Sequence, residues 1–372
     1  MQPPTRIQAR RMVADRLAEL VGDEDAAKLR DNLRAAVDSG EVLRAGGRTF
    51  VLEYRASGAA APVAAAAERA VRQAQALGKQ ALPLVAAPFM GPIGRERCQR
   101  AGVAWLDLSG NAHIVAPGIR IRIEGGVNKF RGRGRPSSVF APKAARVSRW
   151  LLMHPHHAQS QRDIATATRM DEGYTSRIVA RLERQYLIVR DEYGRIRPRD
   201  PDLLLDAWRE SYGFEQHQVL RGHVAARSGN DALRQLARQL ERHEAGYAAT
   251  GLAAAWILTR FAGFRLVTLY LREYPSTALL EALHFHEETR GANVWLVVPK
   301  DLGVLHGLSE HAGIPCAHPV QVYLDLTSHP ERAKEAADHL RTECLNWSRG
   351  DRETSDRGAP GPPLTISGLG EY

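Results

Sequence analysis

The stretch from Arg133 to Arg199 constrains this chain more than any other, because a basic arm, three helical patterns and a basic hairpin follow one another in it. Residues 131–200 carry 15 Lys and Arg against 7 Asp and Glu, a surplus of +8 in a chain whose formal charge is +9. The flanks differ from it and from each other: residues 1–130 hold 19 basic and 13 acidic side chains, residues 201–372 hold 17 and 22. A polyanion is therefore drawn to the middle of the chain and repelled from its C-terminal part.

Within that stretch, Phe140, Ala144, Val147 and Leu151 recur at helical spacing, and His154-Pro155 ends a first, supporting helix. Ser160, three residues ahead of Asp163, reads as a capping box that opens a second helix, Gln161 to Thr168, with Ile164 and Ala165 turned inward. Met170-Asp171 is the turn. The third helix, from Glu172 to Gln185, is expected to bury Ile178, Leu182 and Tyr186, leaving Gly173, Tyr174, Ser176, Arg177, Arg181 and Arg184 outward. The first two turns of such a helix reach base edges in a major groove. Tyr174, Thr175, Ser176 and Arg177 are therefore the candidate base readers, Gln161 is a further candidate contact, and Arg181 is assigned to phosphate. Leu187 to Arg190, the turn Asp191-Glu192-Tyr193-Gly194 and Arg195 to Arg197 form a hairpin, and period-2 geometry sends Arg195 and Arg197 from one face toward a phosphate or minor groove.

As a whole this stretch resembles the winged helix-turn-helix of MarR-like regulators, including the run TSRIVARLERQYLIVR in which the third helix passes into the first wing strand. The resemblance implies DNA binding; a winged helix used for protein contact is the alternative. Arg133-Gly134-Arg135-Pro136 resembles the core of an AT-hook, whose arginines lie in a narrow minor groove of high negative potential. A solvated basic linker accounts for it equally well.

In front of this stretch the apolar pattern alternates strands and helices: two short helices over residues 6–38, a hairpin through Val42, Gly46-Gly47 and Tyr54, a helix from Pro62 to Leu77, and strands Leu82–Ala87, Val103–Leu108 and Ile119–Ile123 around a helix from Gly94. Leu82 to Val115 resembles the latter half of the PD-(D/E)XK nuclease-like fold of Mrr-type restriction enzymes. That chemistry needs two carboxylates and a Lys around Mg²⁺. On the matching strand Glu53 is present, but Arg55 stands where the Lys would be, and around Val42 to Gly47 there is no carboxylate beyond Glu41; Arg is not deprotonated at working pH. The domain therefore reads as a degenerate nuclease-like scaffold. Asp107-Leu108-Ser109-Gly110-Asn111 could be a binding loop, but these are also the residues of an ordinary turn, the reading preferred here.

After residue 210 the chain returns to α/β character, with helices from Asp231 and Gly251 and strands at Leu266–Leu271, Val294–Val298 and Val320–Leu326, where Asp325 reads as a strand-end residue. TGLAAAWILTRFAGFRLVTLYL from Thr250 and VQVYLDLTSHPERAKEAADHLR from Val320 resemble the C-terminal domain of AbiEi-type antitoxins of type IV toxin–antitoxin systems, which carry a winged helix ahead of it. The resemblance implies a repressor that binds inverted repeats in its own promoter as a possible homodimer, and that counteracts a nucleotidyltransferase-like toxin. Its acidic surplus is compatible with protein contact.

The reading is therefore a multi-domain α/β chain: residues 1–128 nuclease-like, 129–138 basic linker, 139–210 winged helix-turn-helix, 211–348 AbiEi-like α/β, and 349–372 a disordered tail. Cys98, Cys316 and Cys344 are far apart without a CxxC pair, and His154, His156 and His157, like His284 and His286, lack partner ligands, so neither disulfide, metal nor cofactor is expected. No apolar run of membrane length and no signal peptide stands out, which implies a cytoplasmic protein. Sequence-specific transcriptional regulation without enzymatic activity is the expected function, against a metal-dependent nuclease targeted by the winged helix and a protein-interaction scaffold.

Overall fold

A computed structural model describes residues 4–22, 42–78, 80–130, 139–261, 263–288, 290–330 and 332–347. The chain divides into two units, Met1–Ser138 with Val179–Glu210, and Val139–Ile178 with Ser211–Tyr372. The division falls at both ends of the 139–210 segment and once more inside the helix Glu172–Arg184.

The first unit opens with α1 (Arg6–Val21), whose cap Thr5 accepts from the Gln8 amide while the Gln8 side chain accepts from the Thr5 amide. β1 (Val42–Ala45) and β2 (Arg48–Tyr54) form an antiparallel hairpin, and its two-residue turn needs positive φ at both positions, which Gly46 (+55°) and Gly47 (+70°) supply. Then come α2 (Ala60–Leu77), β3 (Ala81–Ala87), α3 (Pro92–Arg100), β4 (Ala104–Asp107), β5 (Ala112–Ala116) and β6 (Ile119–Ile123). The six strands lie in chain order, β2–β3 and β3–β4 parallel and the rest antiparallel. The two parallel pairs are the two connections that carry a crossover helix.

Strand alternation sorts the core into two layers. Phe50, Leu52, Leu84, Ala86 and Leu106 pack with Val13 and Leu17 of α1, whereas Val85, Ala87 and Trp105 pack with Val63, Ala66 and Ala67 of α2 and Cys98 of α3. Each such buried Val, Leu or Phe contributes roughly 1.5–3 kcal/mol. The same unit holds a two-stranded hairpin, β7 (Ile188–Arg190) with β8 (Ile196–Pro198), and α7 (Pro201–Arg209), which packs against α2.

The second unit begins with α4 (Ala145–Met153) and α5 (Gln161–Thr168), followed by the first turns of α6 (Glu172–Arg184). Beyond residue 210 come β9 (Gln218–His223), α8 (Gly229–Arg242), β10 (Tyr247–Thr250), α9 (Gly251–Thr259), β11 (Val267–Leu271), α10 (Thr277–Ala282), β12 (His286–Glu287), β13 (Val294–Val298), β14 (Ser309–His311), β15 (Ile314–Cys316), α11 (Pro319–Leu326) and α12 (Ala333–Cys344). The sheet order is β12-β9-β13-β11-β10-β15-β14, with β11–β13 and β10–β15 parallel. Central β11 is buried throughout. α11 corrects the strand expected at Val320–Leu326. Pro319 at its first turn and His318, whose side chain accepts from the Val320 amide, start a helix, and all seven residues from Val320 to Leu326 are buried. Their apolar alternation therefore marked burial on every side.

Candidate nucleic-acid interface

In the second unit, α4 buries Val147, Leu151 and Leu152 and packs against α5. Phe140 and Ala144 lie in the turn ahead of α4. α5 is opened by the reciprocal Ser160–Asp163 box: the Ser160 hydroxyl accepts from the Asp163 amide at 3.1 Å, and the Asp163 carboxylate accepts from the Ser160 amide at 3.2 Å. It ends at Arg169, φ +52°, and the chain turns at once into α6, where the Asp171 carboxylate accepts from the Tyr174 amide at 2.8 Å.

Of the expected contacts on this part, Gln161 is half-buried at the start of α5, Tyr174 and Ser176 are half-buried on α6, and Arg177 is exposed with its guanidinium 5.7 Å from the Tyr174 ring. Thr175 is a correction. It is fully buried and its hydroxyl donates to the Asp171 carbonyl at 2.9 Å, so it closes the turn and cannot reach a base. Arg162, at 83% side-chain exposure beside Glu172 (3.7 Å), was missed; a polar residue in the first turn of α5 was the available signal.

In the first unit, α6 continues with Val179 and Leu182 buried and Arg181 and Arg184 exposed. Tyr186 is 49% exposed and not in the core, because the chain leaves the helix through a left-handed residue, Tyr186 at φ +60°, which turns its side chain outward. Arg195 and Arg197 are both exposed and flank buried Ile196; Arg195 lies 3.6 Å from Asp191 and over the Tyr193 ring. Arg133 and Arg135 lie outside the described residues.

The second unit also holds a polar cluster with no counterpart in the expectations above. Asp325 of α11 is fully buried and accepts from Tyr212, Thr250, Tyr270 and Gln321. Burial pushes its carboxyl up to about 6, against the four hydrogen bonds that favour its ionised form. Gln321 accepts in turn from Arg149 of α4, itself buried, and Arg146 of the same helix grips Asp301 through two bonds of 2.7 and 2.9 Å. Desolvation lowers the Arg149 pKa, opposed by Tyr212, Tyr270, Asp301 and Asp325. An arginine amid the apolar residues of α4 was the signal that this helix packs on something polar. Residues 197–346, which hold most of this cluster, match the family model described as "Transcriptional regulator, AbiEi antitoxin, Type IV TA system".

Over this segment the chain is similar to the AbiEi-type family. No curated protein and no solved structure matches the chain. The AbiEi-type match starts in β8 and runs to the end of α12, so the Asp325 cluster and α7 belong to the matched region and the β1–β6 sheet does not.

In that sheet, Glu53 is 4% exposed and is met by Arg55 at 2.8 Å and Arg69 at 3.4 Å. Asp107 accepts from the amides of Met90, Ser109 and Asn111 and from the Asn111 side chain. Those bonds close the turn and tie it through Met90 to the segment after β3, with Arg95 of α3 3.9 Å from the same carboxylate. Among the described residues no group of three or more His, Cys, Asp or Glu is placed to hold a metal ion, and no helix is long and apolar enough to cross a membrane.

Proposed function

We propose that the chain is a sequence-specific, DNA-binding transcriptional regulator of the type IV toxin–antitoxin kind, repressing its own promoter from the cytoplasm. In this reading α4, α5 and α6 with the β7–β8 hairpin are a winged helix-turn-helix. The observation that carries it is the outward side of α6, where Tyr174, Ser176, Arg177 and Arg181 stand on a helix entered through a tight turn, in a chain whose residues 197–346 match a family of regulators. Arg177, Tyr174 and Ser176 read bases with Gln161 beside them, and Arg181, Arg195 and Arg197 neutralise phosphates. Two copies would read the two halves of an inverted repeat, and a nucleotidyltransferase-like toxin is the protein partner.

The reading assigns no catalysis and no cofactor to the front domain. Glu53, the carboxylate that a nuclease would need for its metal, is held instead by two guanidiniums.

Titration of promoter duplexes at several salt concentrations tests the proposal. Arg177→Ala should weaken the preferred site by about 1–3 kcal/mol and leave nonspecific binding nearly intact. Arg195→Ala should weaken both alike and reduce the salt slope by about 1. Equal losses for the two variants would refute the division of roles, and absence of duplex affinity in dilute buffer would remove the function.

A further inference from the structure

We infer that the front domain is the seat of the wing, and that Arg97 is the positioning residue that fixes the hairpin's angle; the inference rests on the DNA-binding reading. Everything that supports it lies within the first unit. β8 ends at Pro198, and the next residues are tied to the helices of the front sheet one after another. Arg199 reaches Glu68 of α2 at 2.8 Å. Asp200 accepts from Arg97 of α3 at 3.0 Å while capping α7 through the Leu203 amide. Asp206, 2% exposed, takes two more bonds from the same guanidinium, at 3.1 and 2.8 Å. Arg209 lies 3.6 Å from Glu96. Glu210 closes the series by accepting from the Ala60 amide at 3.0 Å, at the start of α2, where the cap residue Ala59 offers no side-chain bond of its own.

Arg97 matters most among these. Its side chain is 15% exposed, and one planar fork holds two carboxylates on either side of the first turn of α7. Asp200 lies three residues beyond Arg197, so the rotation of the last strand about its axis is set where the guanidinium grips. On the apolar side, Leu204, Leu205 and Trp208 are buried and resist sliding. The hairpin is closed at the same end, where the Arg199 amide donates to the Leu187 carbonyl at 3.1 Å. A hairpin built from three-residue strands has little stiffness of its own. Its two exposed arginines hold a fixed spacing against a duplex only if its base is anchored. That anchoring is a use for a nuclease-like sheet whose would-be metal carboxylate is already spent on ion pairs.

The test is duplex titration of the full chain as a function of salt, for the wild type, for R97Q/D206N, which removes both charges together so that neither is left buried alone, and for each again in an R195A/R197A background. R97Q/D206N should weaken preferred and random duplexes alike, by about tenfold, and reduce the salt slope by about 1–2. The same change should have no further effect once Arg195 and Arg197 are gone. Glu68→Ala, at an exposed position and outside the wing, should act in the same direction by a smaller factor and guards against a variant that merely folds poorly. Equal losses with and without the wing arginines would show that Arg97 acts through general stability and would overturn the inference, as would an unchanged slope. If the wild type binds no duplex, the DNA-binding reading itself has failed, an outcome seen before any variant is compared.

Discussion

Both units bury a carboxylate, and they partner it in opposite ways. Glu53 of the front sheet is met by two cations, Arg55 and Arg69, whose side chains remain 25% and 33% exposed. Asp325 of the second unit is met by three hydroxyls and an amide, all within the interior. The first arrangement cancels charge at the rim of a domain; the second spends four neutral donors on a group that burial still holds up at about 6. Polar clusters of the second kind tolerate little change, because every member depends on the others for its hydrogen bond. Glu53 is therefore committed to ion pairs, while the interior of the second unit is organised around Asp325.

The largest expected effect follows from that dependence. Asp325→Ala takes the acceptor from Thr250 and Tyr270 and leaves Tyr212 and Gln321 with their bonds to His217 and to one another, and each buried polar group left without a partner costs about 1–3 kcal/mol. Urea denaturation should show a loss of roughly 3–5 kcal/mol, reduced to about half in Asp325→Asn, which keeps an acceptor. A loss below about 1 kcal/mol for the alanine variant would mean that the cluster is reached by water and the contrast between the two units is false.

Protonation sharpens the same contrast. Burial holds His217, His306, His318 and His329 down to about 4, with the Arg149 charge adding to the effect on the first three. Their ordinary value is 6.5, so between pH 6.5 and 4 the unfolded chain binds more protons than the folded one and stability falls as the medium is acidified. Asp325 works the other way. Its folded pKa lies above the unfolded 3.8, so its protonation returns stability as pH falls through about 6. Four histidines outweigh one carboxyl, and the melting temperature of the chain should drop by at least several degrees between pH 7 and pH 5. In Asp325→Asn the drop should be steeper, since the opposing contribution is gone; a shallower one would reverse the sign assigned to Asp325.

The parts legible in the sequence are those set by neighbours along the chain. The Ser160–Asp163 box, the bounds of α5 and the turn at Gly46-Gly47 depend on a few consecutive residues, and they stand where the residue pattern put them. Val294–Val298 and Ile119–Ile123 likewise match their strands. What the sequence hid depends on packing from several directions. α11 alternates Val, Val, Leu and Leu at every second residue and looks like a strand, yet it is enclosed on all sides, so periodicity carries no information about facing. β10 is Tyr-Ala-Ala-Thr, without the branched residues that mark a strand. In the candidate interface, Arg177, Arg195 and Arg197 were legible as outward charges, whereas Thr175 was not legible as a buried turn residue, because its role depends on the carbonyl of Asp171 one turn back.

The smallest expected effect decides what kind of carboxylate Glu53 is. A carboxylate retained to bind a metal is strained without that metal, since it faces other negative groups, and neutralising it raises stability. A carboxylate retained for ion pairs behaves oppositely. With Arg55 and Arg69 already in place, Glu53→Gln should cost about 1 kcal/mol, modest because both arginines can turn toward water. Plasmid incubated with Mg²⁺ or Mn²⁺ provides the second measurement on the same pair of proteins. A stabilised Glu53→Gln variant, together with wild-type cleavage that Glu53→Ala abolishes, would turn the front sheet from a support into a nuclease and would make the two buried carboxylates alike in being functional.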